Sequence, residues 1–165
     1  MSAARLLASG AVFAACVTAG AVRASRMELR IKNTRALSAD IARLKGFVCS
    51  ERIPLDEAAE RLRASGGLKP LWEGVCGFMR RGCDLARAYS EAVKPELVPE
   101  ATAVLDELFS ALGKGDSAAE LERLGSACLR LERVCAEASA EGGKSGRLIQ
   151  KLSLLLGIAA ALLIL

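Results

Sequence analysis

The stretch LSADIARLKGFVCSERIPLDEAAERL, residues 37–62, decides the fold of this chain. Apolar residues recur in its first half at the spacing of one helix face, at Leu37, Ile41, Leu44 and Val48. This period predicts an amphipathic α-helix that runs to about Ser50. A second helix is predicted to begin at Pro54, because the missing N–H of proline is no loss in a first helical turn. Asp56 and Glu57 would then lie at the positive end of the helix dipole.

The sequence on either side continues as apolar helix faces separated by Gly and Pro. Breaks are predicted at Gly66–Gly67, Gly82, Pro95–Pro99 and Gly113–Gly115. The intervening helices are predicted to begin at Pro70, Asp84, about Glu100 and Ser117. Ser117 and Glu120 form a capping box before a long helix, whose apolar seam is Leu121, Leu124, Cys128, Leu131 and Cys135. We expect a hinge or bend where Gly142, Gly143 and Gly146 weaken that helix. No segment has the period of a β-strand, so the sequence predicts an all-α bundle.

Both ends of the chain carry uncharged apolar runs, at residues 6–22 and 152–165. The first reaches the lower length limit of a membrane helix, and Leu148 and Ile149 extend the second by about a turn. Basic residues are retained on the cytoplasmic side of membranes; those after the first run outnumber the single Arg5 before it, and those of the second run all precede it. They are Arg23, Arg26 and Arg30 after the first run, and Arg147 and Lys151 before the second. The sequence predicts an N-terminal span with its basic flank at 1–30, a cytoplasmic helical bundle at 31–146 and a C-terminal span at 147–165.

Other interpretations of the two runs stay open. The first run could be a cleavable signal, although Val22-Arg23-Ala24 is a poor cleavage site. The sequence Phe13-Ala14-Ala15-Cys16 also approximates a lipobox, so an exported lipoprotein-type helical binding domain anchored at Cys16 is the alternative. A weaker third interpretation is a soluble helical regulator whose tail packs in its own core.

The net charge of +4 does not indicate a nucleic-acid partner. Residues 1–30 carry a net +3 and residues 147–165 a net +2, whereas residues 31–146 carry a net −1. The excess lies beside the apolar ends and forms no basic stripe on the central part of the chain, which is typical of membrane-flanking segments.

The residue types present favour a protein without catalysis, cofactor or metal. The chain has no His, so it offers neither an imidazole base nor a His-ligated metal site. Its glycines form neither a dinucleotide-binding fingerprint nor a P-loop. We expect the cysteines to be small apolar core residues in a reducing compartment. They are Cys16, Cys49, Cys76, Cys83, Cys128 and Cys135.

The order of these segments resembles the stage III sporulation protein AB family over essentially the whole chain. The segments that carry the resemblance are RIPLDEAAERL, LWEGVCGFM, DLARAYSEAV, LDELFSALGKGDSAAELERL and GRLIQKLSLLLGI. Within them, the most specific features are Pro54-Leu55 followed by Ala58, the Leu112-Gly113 break and the Leu156-Gly157 pair of the tail. Tyr89 is a departure, since the family often has Trp there.

The resemblance implies a non-enzymatic membrane scaffold of the complex that links mother cell and forespore. The family is similar to the inner-membrane platform proteins of type II secretion and type IV pilus systems. The cytoplasmic bundle would dock a cytosolic secretion-type ATPase and contact other channel components in the mother-cell membrane. The sequence leaves open whether the chain forms a homo-oligomer. Candidate interaction residues are Pro54, Leu55, Glu57, Ala58, Trp72, Tyr89, Leu112 and Gly113. Candidate membrane-flanking residues are Arg23, Arg26, Arg30, Arg147, Lys151 and Gly157.

Overall fold

A computed structural model describes the backbone of residues 3–112 and 117–164. Side chains are described for residues 10, 11, 13–112, 118–142, 151, 152, 154, 155, 158 and 159. In this part of the chain the structure has six α-helices and no strand, which confirms the predicted all-α class. The helices are α1 (Ala3–Ser50), α2 (Leu55–Ser65), α3 (Lys69–Met79), α4 (Leu85–Glu91), α5 (Pro99–Ala111) and α6 (Ser117–Ile164).

The turn between α1 and α2 confirms the prediction from residues 37–62. Helix α1 ends at Ser50, and Pro54 is the residue that immediately precedes the first turn of α2. Arg52 reverses the chain with a φ of 53°, a left-handed conformation that is uncommon outside glycine. Glu57 and Arg61 form the i, i+4 ion pair that helix spacing allows, with 3.3 Å between the carboxylate and guanidinium groups.

The breaks further along also lie where Gly and Pro predict them. Gly66 ends α2 at a point where a side chain would not fit, because an added Cβ would lie 2.5 Å from the backbone oxygen of Leu62. Gly82 closes the turn after α3 with a φ of 86°, a conformation that costs glycine little. Asp84 caps α4, since its carboxylate accepts a hydrogen bond of 3.1 Å from the backbone N–H of Arg87.

The two long helices differ from the predicted segments. Helix α1 runs without interruption from Ala3 to Ser50, so the first apolar run and the Leu-rich helix are one element. Helix α6 continues through Gly142, Gly143 and Gly146, where we expected a hinge or bend. A glycine inside a helix costs only about 1 kcal/mol relative to alanine, which a long helix can absorb. The predicted break at Gly113–Gly115 lies outside the described residues.

The two predicted membrane helices are not supported. Among the described residues, no helix combines the length and apolarity needed to cross a membrane. In α1 the apolar run is flanked by Arg5 before it and Arg23 directly after it, and charged residues recur from Arg23 to Lys45. Some side chains of both apolar runs, including those of residues 6–9 and 160–164, lie outside the described set.

The chain divides into two compact units. The central bundle is Arg30–Ala138, and the terminal unit comprises the described parts of Met1–Leu29 and Ser139–Leu165. The core of the central bundle is a single apolar cluster drawn from all six helices and the connections between them. Its largest fully buried side chains are Trp72, Phe109, Leu37, Ile41, Leu44, Leu62, Leu71, Leu105, Leu112, Leu124, Leu131 and Val75.

The cysteines are less uniform than the sequence predicts. All six lie among the described residues, none forms a disulfide, and only Cys76 and Cys128 are buried. Burial raises the pKa of the Cys76 thiol to about 11, so it is protonated at neutral pH. Cys49 is exposed, which contradicts the expectation that every cysteine is a core residue.

Candidate functional surfaces

A buried carboxylate on α1 fixes the turn between α2 and α3. Asp40 is fully buried, and its carboxylate accepts three hydrogen bonds. Two come from the backbone N–H groups of Gly67 and Leu68, at 2.8 and 3.1 Å, and the third from the indole Nε1 of Trp72, at 2.9 Å. A buried carboxylate is costly unless it is hydrogen-bonded, and these donors meet that need.

Polar groups on the same helix hold the connection between α4 and α5. The buried hydroxyl of Thr34 accepts a 3.2 Å hydrogen bond from the backbone N–H of Val98. The side-chain amide of Asn33 donates to the backbone oxygen of Glu96 at 3.0 Å, and Arg30 pairs with the Glu96 carboxylate at 3.4 Å. Helix α1 therefore fixes the end of the connection that leads into α5.

An open groove lies between α4, the turn before it and α5. We call it the α4–α5 groove; it is lined by Arg81, Gly82, Cys83, Asp84, Ala86, Arg87, Tyr89, Ser90, Lys94, Asp106, Phe109 and Ser110. Its floor is an aromatic pair, since the rings of Tyr89 and Phe109 stack at a centroid distance of 4.1 Å and an angle of 12°. Its volume is 970 Å³.

The charges of the groove are of two kinds, paired and unpaired. The Lys94 ammonium group forms a 2.7 Å ion pair with Asp106 and lies 4.7 Å from the centre of the Tyr89 ring. Burial, together with the charge of Asp106 and a hydrogen bond to it, raises the pKa of Tyr89, which keeps the phenol protonated. By contrast, the guanidinium groups of Arg81 and Arg87 have no carboxylate within 4 Å among the described side chains.

A neighbouring charged cluster neutralises the arginine beside Arg81. The Glu60 carboxylate lies 2.7 Å from the guanidinium group of Arg63 and 2.9 Å from that of Arg80. The hydrogen bond from Arg63 is the main reason that the pKa of Glu60 is lowered. Adjacent residues thus differ: Arg80 is neutralised by Glu60, whereas Arg81 lines the α4–α5 groove.

The terminal unit has an apolar surface. Of the eight large apolar side chains that are exposed among the described residues, six belong to this unit. They are Val22, Leu29, Leu152, Leu154, Leu155 and Ile158. The polar Thr18 is compatible with such a surface, because its hydroxyl donates to the backbone oxygens of Ala14 and Ala15, at 2.9 and 3.0 Å.

The candidate residues from the sequence fall into several environments. Ala58, Trp72, Tyr89 and Leu112 are buried in the central bundle, and Trp72 and Tyr89 both contact the ring of Phe109. Substitution of any of these buried residues would therefore change partner binding by disturbing the fold. Pro54 and Glu57 are exposed and Leu55 is half-buried, and all three lie at the start of α2. Gly113 lies outside the described residues.

The membrane-flanking candidates lie on the two long helices. Arg23 and Arg26 are exposed on α1, and Lys151 is exposed on α6. Arg30 is half-buried and pairs with Glu96. The backbones of Arg147 and Gly157 belong to α6, but the side chain of Arg147 is outside the described set. Cys16, the anchor of the alternative interpretation, is half-buried.

Sequence reasoning did not identify Asp40 or the α4–α5 groove. The sequence does carry a signal for Asp40. It lies three residues after Leu37, a helical spacing that places it on the apolar face of α1 with Leu37 and Ile41. An acidic residue on a core-facing stripe predicts a buried carboxylate that needs donors. No comparable local signal exists for the groove, because its walls are 25 residues apart in sequence at Arg81 and Asp106.

Comparison with known proteins gives one family. The family model described as stage III sporulation protein AB matches residues 5–165, which is nearly the whole chain. No curated protein and no solved structure matches the chain at a significant level.

Proposed function

The chain belongs to the stage III sporulation protein AB family, and from this premise we propose that it is a non-enzymatic membrane scaffold. Membership of the family gives it a role in sporulation. In the proposed role, its terminal unit lies in the mother-cell membrane around the forespore, and its central bundle faces the cytoplasm. There the bundle docks a cytosolic secretion-type ATPase and contacts other components of the channel complex.

The apolar surface of the terminal unit carries the membrane part of this proposal. A folded unit that exposes several large apolar side chains together requires an apolar environment or a partner. Leu152, Leu154, Leu155 and Ile158 provide such a surface within two turns of α6. The exposed Lys151 lies at the start of this stretch, where a lysine side chain can extend to the membrane interface.

The central bundle supports the docking part. Its apolar side chains form a closed core, and its polar loops are held by Asp40 and Thr34, so it presents a fixed surface. The α4–α5 groove is an open feature of that surface with unneutralised charge. A rigid surface favours docking because little conformational entropy is lost on binding.

Membrane fractionation tests the first part. We expect the full chain to sediment with membranes and to require detergent for release. Replacing Leu152, Leu154, Leu155 and Ile158 by Ser should move most of the protein to the soluble fraction. The matched control is Leu129→Ser, which changes an exposed leucine of the central bundle and should leave the distribution unchanged. A full chain that stays soluble at all salt concentrations would contradict the proposal.

Co-purification tests the second part. The full chain, purified from sporulating cells in mild detergent, should retain the secretion-type ATPase of the same system. The four-serine variant should retain it as well, because docking is assigned to the central bundle. Loss of the ATPase from the wild-type chain at low and moderate salt would exclude the docking role.

A further inference from the structure

We propose that the α4–α5 groove binds an acidic segment of a partner protein, whose carboxylates pair with Arg81 and Arg87. The proposal rests on the docking function above and specifies the chemistry of the docked surface. It assigns the two arginines as the contact residues and the Tyr89–Phe109 pair as the apolar floor.

Charge is the first argument. Five arginines of the central bundle form ion pairs with carboxylates: Arg30, Arg61, Arg63, Arg80 and Arg130. Arg81 and Arg87 are exposed, line the same groove and have no such pair among the described residues. A guanidinium group matches a carboxylate in geometry, because two of its N–H groups can donate to the two oxygens.

Rigidity is the second argument. The charged walls of the groove are held in place by Asp84, which caps α4, and by Asp106, which fixes Lys94. The floor is fixed by ring stacking between Tyr89 and Phe109. A groove ordered before binding loses little entropy when a segment enters it.

The balance of charge favours a protein segment over a nucleic acid. Arg81, Arg87 and Lys94 are offset by Asp84 and Asp106, which leaves a net charge of +1 in the groove. Binding of a nucleic acid needs several unneutralised cations along its backbone, and a groove with this small net charge does not supply them. A segment with two acidic side chains and apolar neighbours fits the arrangement.

Site-specific crosslinking in sporulating cells tests the proposal. The photoreactive residue p-benzoylphenylalanine replaces Ser90, which is exposed in the groove, and in the control it replaces Ala64, which is exposed on α2. We expect an adduct at position 90 whose crosslinked peptide, identified by mass spectrometry, carries at least two acidic residues. The same peptide should not be captured from position 64.

Charge reversal supplies the specificity test. In the chain with the photoreactive residue at 90, Arg81→Glu with Arg87→Glu should lower the adduct yield at least about ten-fold. The matched control, Lys69→Glu with Arg133→Glu, makes the same change in net charge at exposed positions outside the groove and should lower it less than about two-fold. Circular dichroism of both variants confirms that the fold is retained.

The outcomes separate this proposal from the docking function. An adduct with an acidic segment of the ATPase supports both the groove proposal and the docking function. An adduct with an acidic segment of a different protein supports the groove proposal and excludes the ATPase as the ligand of the groove. No adduct, an adduct on a neutral or basic peptide, or a yield unchanged by reversal of Arg81 and Arg87 overturns the groove proposal. Continued co-purification of the ATPase would then leave the docking function standing on another surface.

Discussion

The central bundle and the terminal unit place leucine in opposite environments. In the central bundle, residues such as Leu37 and Leu105 are fully buried, and Leu129 is an exposed leucine among the charged side chains of α6. In the terminal unit, Leu152, Leu154 and Leu155 are all exposed on the same long helix. In the proposed membrane role, the bundle end of α6 would lie in water and the terminal end in an apolar environment. The four predictions below test this difference, from the largest effect on stability to the smallest.

The largest effect is expected at the centre of the bundle. Trp72→Ala removes a fully buried ring that contacts Phe109 and donates to Asp40. The free energy of unfolding should fall by about 3–5 kcal/mol, because a large cavity forms. Chemical denaturation followed by circular dichroism measures it, with Val93→Ala as the exposed control. A loss below about 1 kcal/mol would show that the ring is not part of the core.

A smaller effect is expected at the buried carboxylate. Asp40→Asn keeps the shape but replaces one acceptor oxygen by an NH₂ group, which then faces an N–H donor. The free energy of unfolding should fall by about 1–3 kcal/mol, the cost of a buried group without its partner. Equilibrium denaturation followed by the fluorescence of the single tryptophan measures this change. The control, Glu122→Gln on the exposed face of α6, should have little effect.

Surface ion pairs should contribute still less to the free energy of unfolding. Arg61 pairs with both Glu51 and Glu57, but its side chain is 44 % exposed. Arg61→Ala should lower the free energy of unfolding by about 0.2–1 kcal/mol, because solvent screens exposed charges. The difference from wild type should shrink in 1 M NaCl, where the Debye length is about 3 Å. A salt-independent loss would assign the effect to the packing of the Arg61 side chain on Phe47.

The smallest effect is expected in the terminal unit. Leu155 is 61 % exposed, so Leu155→Ala should change the free energy of unfolding by less than about 0.5 kcal/mol. Thermal unfolding of the full chain in mild detergent provides the measurement. A loss comparable to that of Trp72→Ala would show that Leu155 packs in a protein core, which would break the contrast between the two units.

The helix boundaries of the central bundle could be predicted because they depend on local chemistry. Pro54, Gly66 and Asp84 act through their own backbone or through a group a few residues away, and each lies at the predicted turn. The continuity of α6 through Gly142–Gly146 could not be predicted in this way, since local propensity is only a weak constraint on a long helix.

The candidate site was less accessible to sequence reasoning. The family resemblance makes Trp72 and Tyr89 candidate interaction residues, but both are buried in the packed bundle. Arg81, Arg87 and Asp106 line the α4–α5 groove together only because tertiary packing brings α4 and α5 side by side. No local sequence pattern predicts that these two helices are neighbours. Asp40 is intermediate: its position on an apolar face is visible in the sequence, but its three donors are not.

The most direct test of the two environments compares one exposed leucine from each. A nitroxide label is attached to a single cysteine at position 155 or at position 129, in full-length protein whose native cysteines are replaced, reconstituted in lipid vesicles. Electron paramagnetic resonance then measures how each label collides with apolar oxygen and with a water-soluble nickel complex. We predict that the label at 155 is relaxed mainly by oxygen and the label at 129 mainly by nickel. Equal and strong relaxation of both labels by nickel would contradict a membrane-embedded terminal unit.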